Sequence, residues 1–220
     1  MEKHDITTQT DIQKQILHVS REYFLKYGYS KVTTDEIASS IGISKKTLYK
    51  HFPTKKALLE KVISSTIEGI SAKLEPTVTN DKVDFVDKLK GVMEIIANQT
   101  SQISQQFVND IRNMDIGLWN MANRLREEKV MSHFGRLLKL GVKEGYIRDD
   151  INPEMLKLIY MNSVQSILTP HRLYDLPISA KQGFEMIFKV FFEGALTERA
   201  RRRYLATKSS LTESNQTGEL

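Results

Sequence analysis

The stretch GISKKTLYKHFPTKKALLE, residues 42–60, carries five lysines and a histidine and, before its last residue, no acid. Read upstream, no Asp or Glu stands between Glu36 and Glu60, although the whole chain mixes 32 Lys+Arg with 27 Asp+Glu. Ser44 is a good N-cap, and Ile43 before it is placed to staple onto the new helix. Pro53 ends that helix, because proline restricts the residue before it and cannot continue the hydrogen-bond ladder. At 3.6 residues per turn, Leu48 and Phe52 lie about 40° apart and define a buried side, while Lys46 and Lys50 fall about 160° and 200° away from Leu48. Thr47 and Tyr49 flank the lysines, and Lys45 and His51 lie nearer the seam. The helix is anchored by two hydrophobes and displays one sign of charge.

Upstream, Ile12, Ile16, Val19, Tyr23, Phe24 and Tyr27 recur at helical spacing from Asp11 onward. Gly28 then supplies a left-handed stop. Thr33 and Glu36 have the spacing of a capping box, opening a short helix with Ile37, Ala38 and Ile41 inward and Gly42 at its end. Two short helices, Thr34–Ser40 and Lys45–Phe52, joined by a tight glycine turn, form a helix-turn-helix pattern whose second helix enters the major groove. The side chains suit that task. Lysine neutralises phosphates and donates to guanine O6 and N7, threonine donates, accepts and touches the thymine methyl, and tyrosine offers a ring and a hydroxyl. From charge and turn alone, a solvated lysine face on a non-DNA helix bundle remains the alternative.

Downstream, Thr54 caps a longer helix through about Lys73, and Pro76 with the polar run TVTNDK marks a junction. Further helices are expected over 83–106, in a short segment holding Phe107, Val108, Ile111 and Met114, over 119–143 to a stop near Gly145, from the Asn152-Pro153 cap to about Leu168 before Pro170, and from a Ser179 cap to about Arg199. Strand signals are nearly absent, so the predicted class is all-α: an N-terminal three-helix helix-turn-helix domain (1–53), a connecting helix (54–75), a C-terminal helical domain (76–199) and a basic, disordered tail (200–220).

Composition narrows the function. Residues 1–73 hold 12 Lys+Arg against 8 Asp+Glu, residues 74–198 hold 15 against 17, and residues 199–220 hold 5 against 2. The basic excess at the ends points to a nucleic-acid-facing module joined to one with other business. There is no cysteine, which excludes disulfides, thiolate zinc sites and cysteine nucleophiles and fits a reducing cytoplasm. The N-terminus MEKHDITTQTD does not read as a signal peptide, and no apolar run is long enough to span a bilayer. Histidines 4, 18, 51, 133 and 171 are scattered, so no metal site is expected, and no cofactor or catalytic motif is present. The chain reads as a non-enzyme.

The run VTTDEIASSIGISKKTLYKHFPTKKALLEKVI, residues 32–63, resembles the DNA-binding domain of tetracycline-repressor-like (TetR family) transcription regulators. The likeness covers about residues 8–65, through the Gly28 turn, TTDEIA, GISKKTLYKHF and TKKALL. It implies base or backbone contacts from Lys45, Lys46, Thr47 and Tyr49, with Ser44 and Lys50 on the same interface. Phosphate contacts are implied from Thr34, Tyr49, His51 and Lys55. Lys46 stands in a slot the family often fills with glycine.

The resemblance also implies a two-fold dimer through a four-helix bundle. In GFEMIFKVFFEGALTE, residues 183–198, Phe184, Ile187, Phe188, Phe191, Phe192 and Ala195 form a wide apolar arc, the candidate dimer interface; a monomer core helix is the alternative. A further implication is an inducer pocket within 83–171, with Phe107, Met114, Trp119, Met121, Tyr160, Met161 and Gln165 as candidate lining. Asp115–Leu118 reads as a loop before Trp119. The working expectation is a one-component regulator, most simply a repressor, that binds a palindromic double-stranded operator as a homodimer and is released by a small apolar effector. The alternatives are a DNA-bound regulator acting through a protein partner without an effector, or an activator.

Overall fold

The computed structural model describes residues 2–167, 178 and 180–205. Ser179, Pro170 and residues 206–220 of the tail lie outside them, as do the side chains of Met114 and Gln165. Among the described residues every named element is helical, and the one extended pairing is an isolated antiparallel bridge, Ile147–Leu196.

The helices are α1 (Glu2–Tyr27), α2 (Thr34–Ser40), α3 (Lys45–His51), α4 (Lys55–Thr79), α5 (Phe85–Ser101), α6 (Gln105–Met114), α7 (Ile116–Arg126), α8 (Ser132–Lys143), α9 (Pro153–Ile167) and α10 (Ala180–Ala195). A π-helical turn, Glu127–Met131, leads from α7 into α8, and residues 198–205 form a last helical segment. The chain divides into two compact units: residues 1–70 with 99–129, and residues 71–98 with 130–220.

The first unit is built on one core. Ile16, Phe24 and Leu25 of α1, Ile37 and Ala38 of α2, Leu48 of α3, and Leu58, Leu59 and Val62 of α4 are buried together with Phe107, Ile111 and Leu118. α1 begins at Glu2 rather than Asp11; no Gly or Pro interrupts the polar segment. Gly28 ends α1 at φ +92°, and its amide donates to Phe24 O at 2.9 Å. A methyl there would stand 2.4 Å from Gln106 Cγ of α6. α6 holds this turn through Asp110, a buried carboxylate that accepts from Ser30 N at 2.7 Å and from Gln106 Nε2 at 2.7 Å. Burial pushes the Asp110 carboxyl up, but its hydrogen-bond donors outweigh this and hold it below the usual value.

Four further predicted boundaries move. α4 runs through Pro76 to Thr79. Interior proline costs about 3 kcal/mol, while fully burying a Leu or Val side chain returns roughly 1.5–3 kcal/mol each. Leu74 and Val78 are both buried, so packing outweighs the break, and the carbonyl of exposed Ala72 is left to water. The predicted 83–106 helix ends at Ser101, because Ser104 caps α6 (Phe107 N to Ser104 Oγ, 3.2 Å) while its own amide donates to Leu25 O at 2.7 Å. Asp115–Leu118 is a helix start, not a loop: Asp115 Oδ1 accepts from Gly117 N and Leu118 N. The predicted last helix breaks at Ala195. Arg148 N donates to Ala195 O at 3.0 Å, Thr197 N donates to Tyr146 O at 2.9 Å, and the chain resumes as helix at 198.

The second unit encloses an aromatic core. Tyr160 of α9 sits among Phe134 of α8 and Phe184, Phe188 and Phe191 of α10 at centroid distances of 4.8–6.2 Å. Burial pushes its phenol far above the ordinary range. Gly141 lets α8 approach closely: an added methyl would meet the Phe85 ring at 2.5 Å and Ile147 Cδ1 at 2.8 Å.

Candidate nucleic-acid interface

The helix-turn-helix is specified locally, residue by residue. Thr33 caps α2: Glu36 N donates to Thr33 Oγ1 at 3.2 Å, and Thr33 N returns a 2.7 Å bond to Glu36 Oε2. Those donors hold the Glu36 carboxyl below its ordinary value. Gly42, at φ +70°, lets the chain reverse, and Ile43 N donates to Ala38 O at 3.0 Å. Ser44 Oγ caps α3 by accepting from Thr47 N at 3.0 Å. Leu48 and Phe52 are 0% and 4% exposed, which fixes the roll of α3 about its axis, as the angular reading of the sequence requires.

The polar residues of α3 divide into engaged and free. Lys46 and Lys50 are exposed, and neither makes an ion pair among the described residues. Lys45 is also exposed, but its Nζ donates to Asp35 Oδ2 of α2 at 2.8 Å; this hydrogen bond and the neighbouring charge raise its pKa. Thr47 is half-buried, and its hydroxyl lies 2.9 Å from that of Ser44. The half-buried Tyr49 reaches across to α2, where its hydroxyl is 3.2 Å from Thr34 Oγ1. Thr34 itself is 6% exposed, and its side chain braces α2 against α3. His51 is half-buried at the end of α3.

Lys55 does not join this face. Its Nζ donates to Tyr29 O at 2.6 Å and stands 4.2 Å from the Tyr29 ring centroid and 5.9 Å from that of Phe24. Burial lowers its pKa, with Asp110 and Glu36 opposing. Beside the expected phosphate contact, the ammonium thus has a structural engagement at the turn after α1.

The candidate pocket residues fall into different units. Phe107 is in the core of the first unit, and Trp119 and Met121 pack against that core. Tyr160 is buried in the second unit and Met161 half-buried there, while the side chains of Met114 and Gln165 are among those not described. A surface groove of about 610 Å³ in the first unit is lined by Tyr23, Tyr27, Lys31, Val32, Glu36 and Ser39 and includes none of these candidates.

Most of the candidate dimer face packs inside the second unit. Phe184, Phe188, Phe192 and Ala195 are 0–2% exposed within the second unit, and Ile187 and Phe191 are half-buried. The apolar side chains of this unit left in water include Met186 and Val190 of α10 and Met155, Leu158 and Ile159 of α9. An i, i+4 spacing in α10 and an i, i+3, i+4 spacing in α9 were the available signals. Among the described residues no group of three His, Asp or Glu is placed to hold a metal, and no helix is long and apolar enough to cross a membrane.

Residues 16–62 match the family described as bacterial regulatory proteins, tetR family. Over most of its length the chain is similar to the HTH-type transcriptional regulator UidR of Escherichia coli K12, at 26% identity over 86% of this chain and 96% of that one. Among solved structures, a transcriptional regulator from Saccharomonospora viridis in complex with choline superposes with a TM-score of 0.69 at 17% identity, covering 86% of this chain and 99% of that one. A TetR transcriptional regulator from Legionella pneumophila superposes with a TM-score of 0.63 at 21% identity, over 82% and 95%. These structures share the fold.

Proposed function

We propose that this chain, whose residues 16–62 match the tetR family of bacterial regulatory proteins, is a transcriptional regulator that binds a palindromic double-stranded DNA operator as a homodimer, represses transcription, and is released by a small effector bound in its C-terminal part. The observation that carries the DNA reading is α3 itself: a helix aimed by buried Leu48 and Phe52, with Lys46 and Lys50 presented to solvent and in no ion pair among the described residues. Lysines in that position neutralise phosphates and donate to guanine in the major groove. Ser44, Lys45, Thr47 and Tyr49 surround them; His51 and the start of α2 at Thr34 complete the interface.

The dimer reading is supported by Met155, Leu158, Ile159, Met186 and Val190, because exposed apolar residues grouped by helical spacing mark association surfaces. Two recognition helices then meet successive major grooves about 34–36 Å apart. The effector reading rests on the family match of residues 16–62, with the S. viridis regulator, solved with choline, as a protein of like fold that holds a small molecule. An effector shifts operator affinity only by its differential affinity for two states of the dimer, about 1–3 kcal/mol in typical systems.

Selection from random duplex DNA at about 0.15 M salt, where sequence-independent phosphate binding is suppressed, tests the reading. An enriched inverted repeat is the expected result. Enrichment of a single half-site would overturn the dimer, and retention without sequence preference would overturn the operator. Val190→Asp places a charge on the exposed α10 face and is expected to shift the protein toward monomer in sedimentation. An unchanged sedimentation coefficient would move the interface elsewhere.

A further inference from the structure

The lysines of the recognition helix are not equivalent, and the difference comes from an acid outside it. Asp35 stands in the first turn of α2, and Lys45 is the first residue of α3. Their side chains meet at 2.8 Å, with 51% of the lysine and 62% of the aspartate side chain exposed. Water and salt reach this pair, so it adds little to stability. Its consequence is electrostatic. Between Glu36 and Glu60 the chain has no acid at all, yet Asp35 reaches across the turn and neutralises one of the three cations that α3 exposes.

We infer that Asp35 is an intramolecular stand-in for a DNA phosphate, holding Lys45 back and limiting the sequence-independent attraction of α3 for nucleic acid. This rests on the reading of α3 as the DNA-facing helix. A lysine ammonium has three donors, so Asp35 does not fill its hydrogen-bonding capacity. It does place a carboxylate within two hydrogen-bond lengths of any phosphate that Lys45 approaches. That phosphate meets a nearly neutral pair instead of a cation, and like-charge repulsion removes most of the attraction. Lys46 and Lys50, which carry no such partner among the described residues, keep theirs. The outcome is a recognition helix whose free charges lie on the face opposite Leu48, where base edges are read, and whose flanking charge is muted.

The test is a double-mutant cycle of Asp35→Asn and Lys45→Ala, read by binding of the full chain to a random-sequence duplex from 50 to 200 mM salt. Asparagine keeps an oxygen acceptor for Lys45 while removing the charge. Freeing one lysine for one phosphate steepens the slope of log K against log salt by about 0.9. Across that fourfold salt range the affinity ratio therefore grows by about 3.5-fold. Asp35→Asn is expected to tighten binding, by about 3.5-fold more at 50 mM than at 200 mM salt, and Lys45→Ala in the Asp35→Asn background to remove the gain. Lys45→Ala in the parent protein loses less than it does in that background. Unchanged or weaker binding of Asp35→Asn overturns the inference, as does a gain that survives loss of Lys45. Failure of the underlying reading has a different signature: a Lys46→Ala, Lys50→Ala double variant that binds DNA like the parent shows that α3 is not the contacting helix, and it removes both conclusions.

Discussion

Lys55→Met separates a structural cation from a DNA-binding one. The substitution keeps the length and apolar volume of the stem but deletes the ammonium that donates to Tyr29 O at 2.6 Å and lies over the Tyr29 ring. A hydrogen bond from a charged group contributes about 1.5–3 kcal/mol, while a cation over an aromatic face at a partly exposed site adds about 0.5–1 kcal/mol. The hydrogen bond therefore dominates, and a stability loss of about 1.5–3 kcal/mol is expected. For a chain of this length that lowers Tm by roughly 3–12 °C, read by circular dichroism. The DNA readout should move differently. Because the ammonium faces the turn after α1, the salt slope of binding, measured well below the melting range, is expected to stay at the parent value. A slope shallower by about 0.9 with an unchanged Tm is the signature of a lost phosphate contact, and that result would refute the structural assignment.

Two further outcomes concern packing away from α3. His133 of α8 places Nε2 2.9 Å from Ser71 Oγ and Nδ1 3.0 Å from Glu75 Oε2, although that nitrogen lies out of line for a true hydrogen bond. Burial depresses its pKa below 6.5, Glu75 opposes this, and Arg136, which also pairs with Glu75, reinforces it. As pH falls through 6.5 the unfolded chain takes up the proton and the folded one does not, so stability is full above 6.5 and declines below it. Tm measured from pH 7.5 to 5 should fall less steeply in His133→Gln, and also in Arg136→Gln, whose folded His133 pKa rises. Parallel curves for all three proteins would remove His133 from the account. Gly141→Ala drives a methyl to within 2.5 Å of the Phe85 ring and is expected to lose about 1–3 kcal/mol. Gly69→Ala, on α4 with nothing within 4 Å of the new methyl, should instead gain up to about 1 kcal/mol; equal shifts in the two proteins contradict the packing argument.

The features of this fold legible in the sequence are those decided within a few residues. The Thr33–Glu36 box, the Gly28 and Gly42 stops, the Ser44 cap and the Asn152-Pro153 start are all found where local chemistry places them. The misread boundaries are those where a distant partner decides. Pro76 looks like a terminator until Leu74 and Val78 are seen to be buried, and Ser104 looks like mid-helix until Leu25 O claims its amide. The break after Ala195 depends on Tyr146 and Arg148, some fifty residues earlier, offering backbone partners. Periodicity reports which side of a helix is apolar, but not whether that side meets its own chain or another. For that reason the Phe184–Phe192 arc reads equally well as core and as interface, and only burial separates it from Met186 and Val190.

The same division runs through the candidate site. Sequence supplies the roll of α3 from Leu48 and Phe52, because two hydrophobes one turn apart leave a seven-residue helix a single way to lie. It does not supply the state of each cation. Five lysines between residues 42 and 60 look interchangeable as charges, yet three are already engaged within the first unit: Lys45 by Asp35, Lys55 by Tyr29 O and Lys56 by Asp115. None of these partners lies in the stretch itself. Since affinity for a polyanion scales with the number of phosphates neutralised, counting charges overstates the electrostatic reach of this helix, and counting unpartnered charges reduces it to Lys46 and Lys50. A reader with so few free cations must draw its discrimination from where they point, and Leu48 and Phe52, which touch no DNA, set that direction.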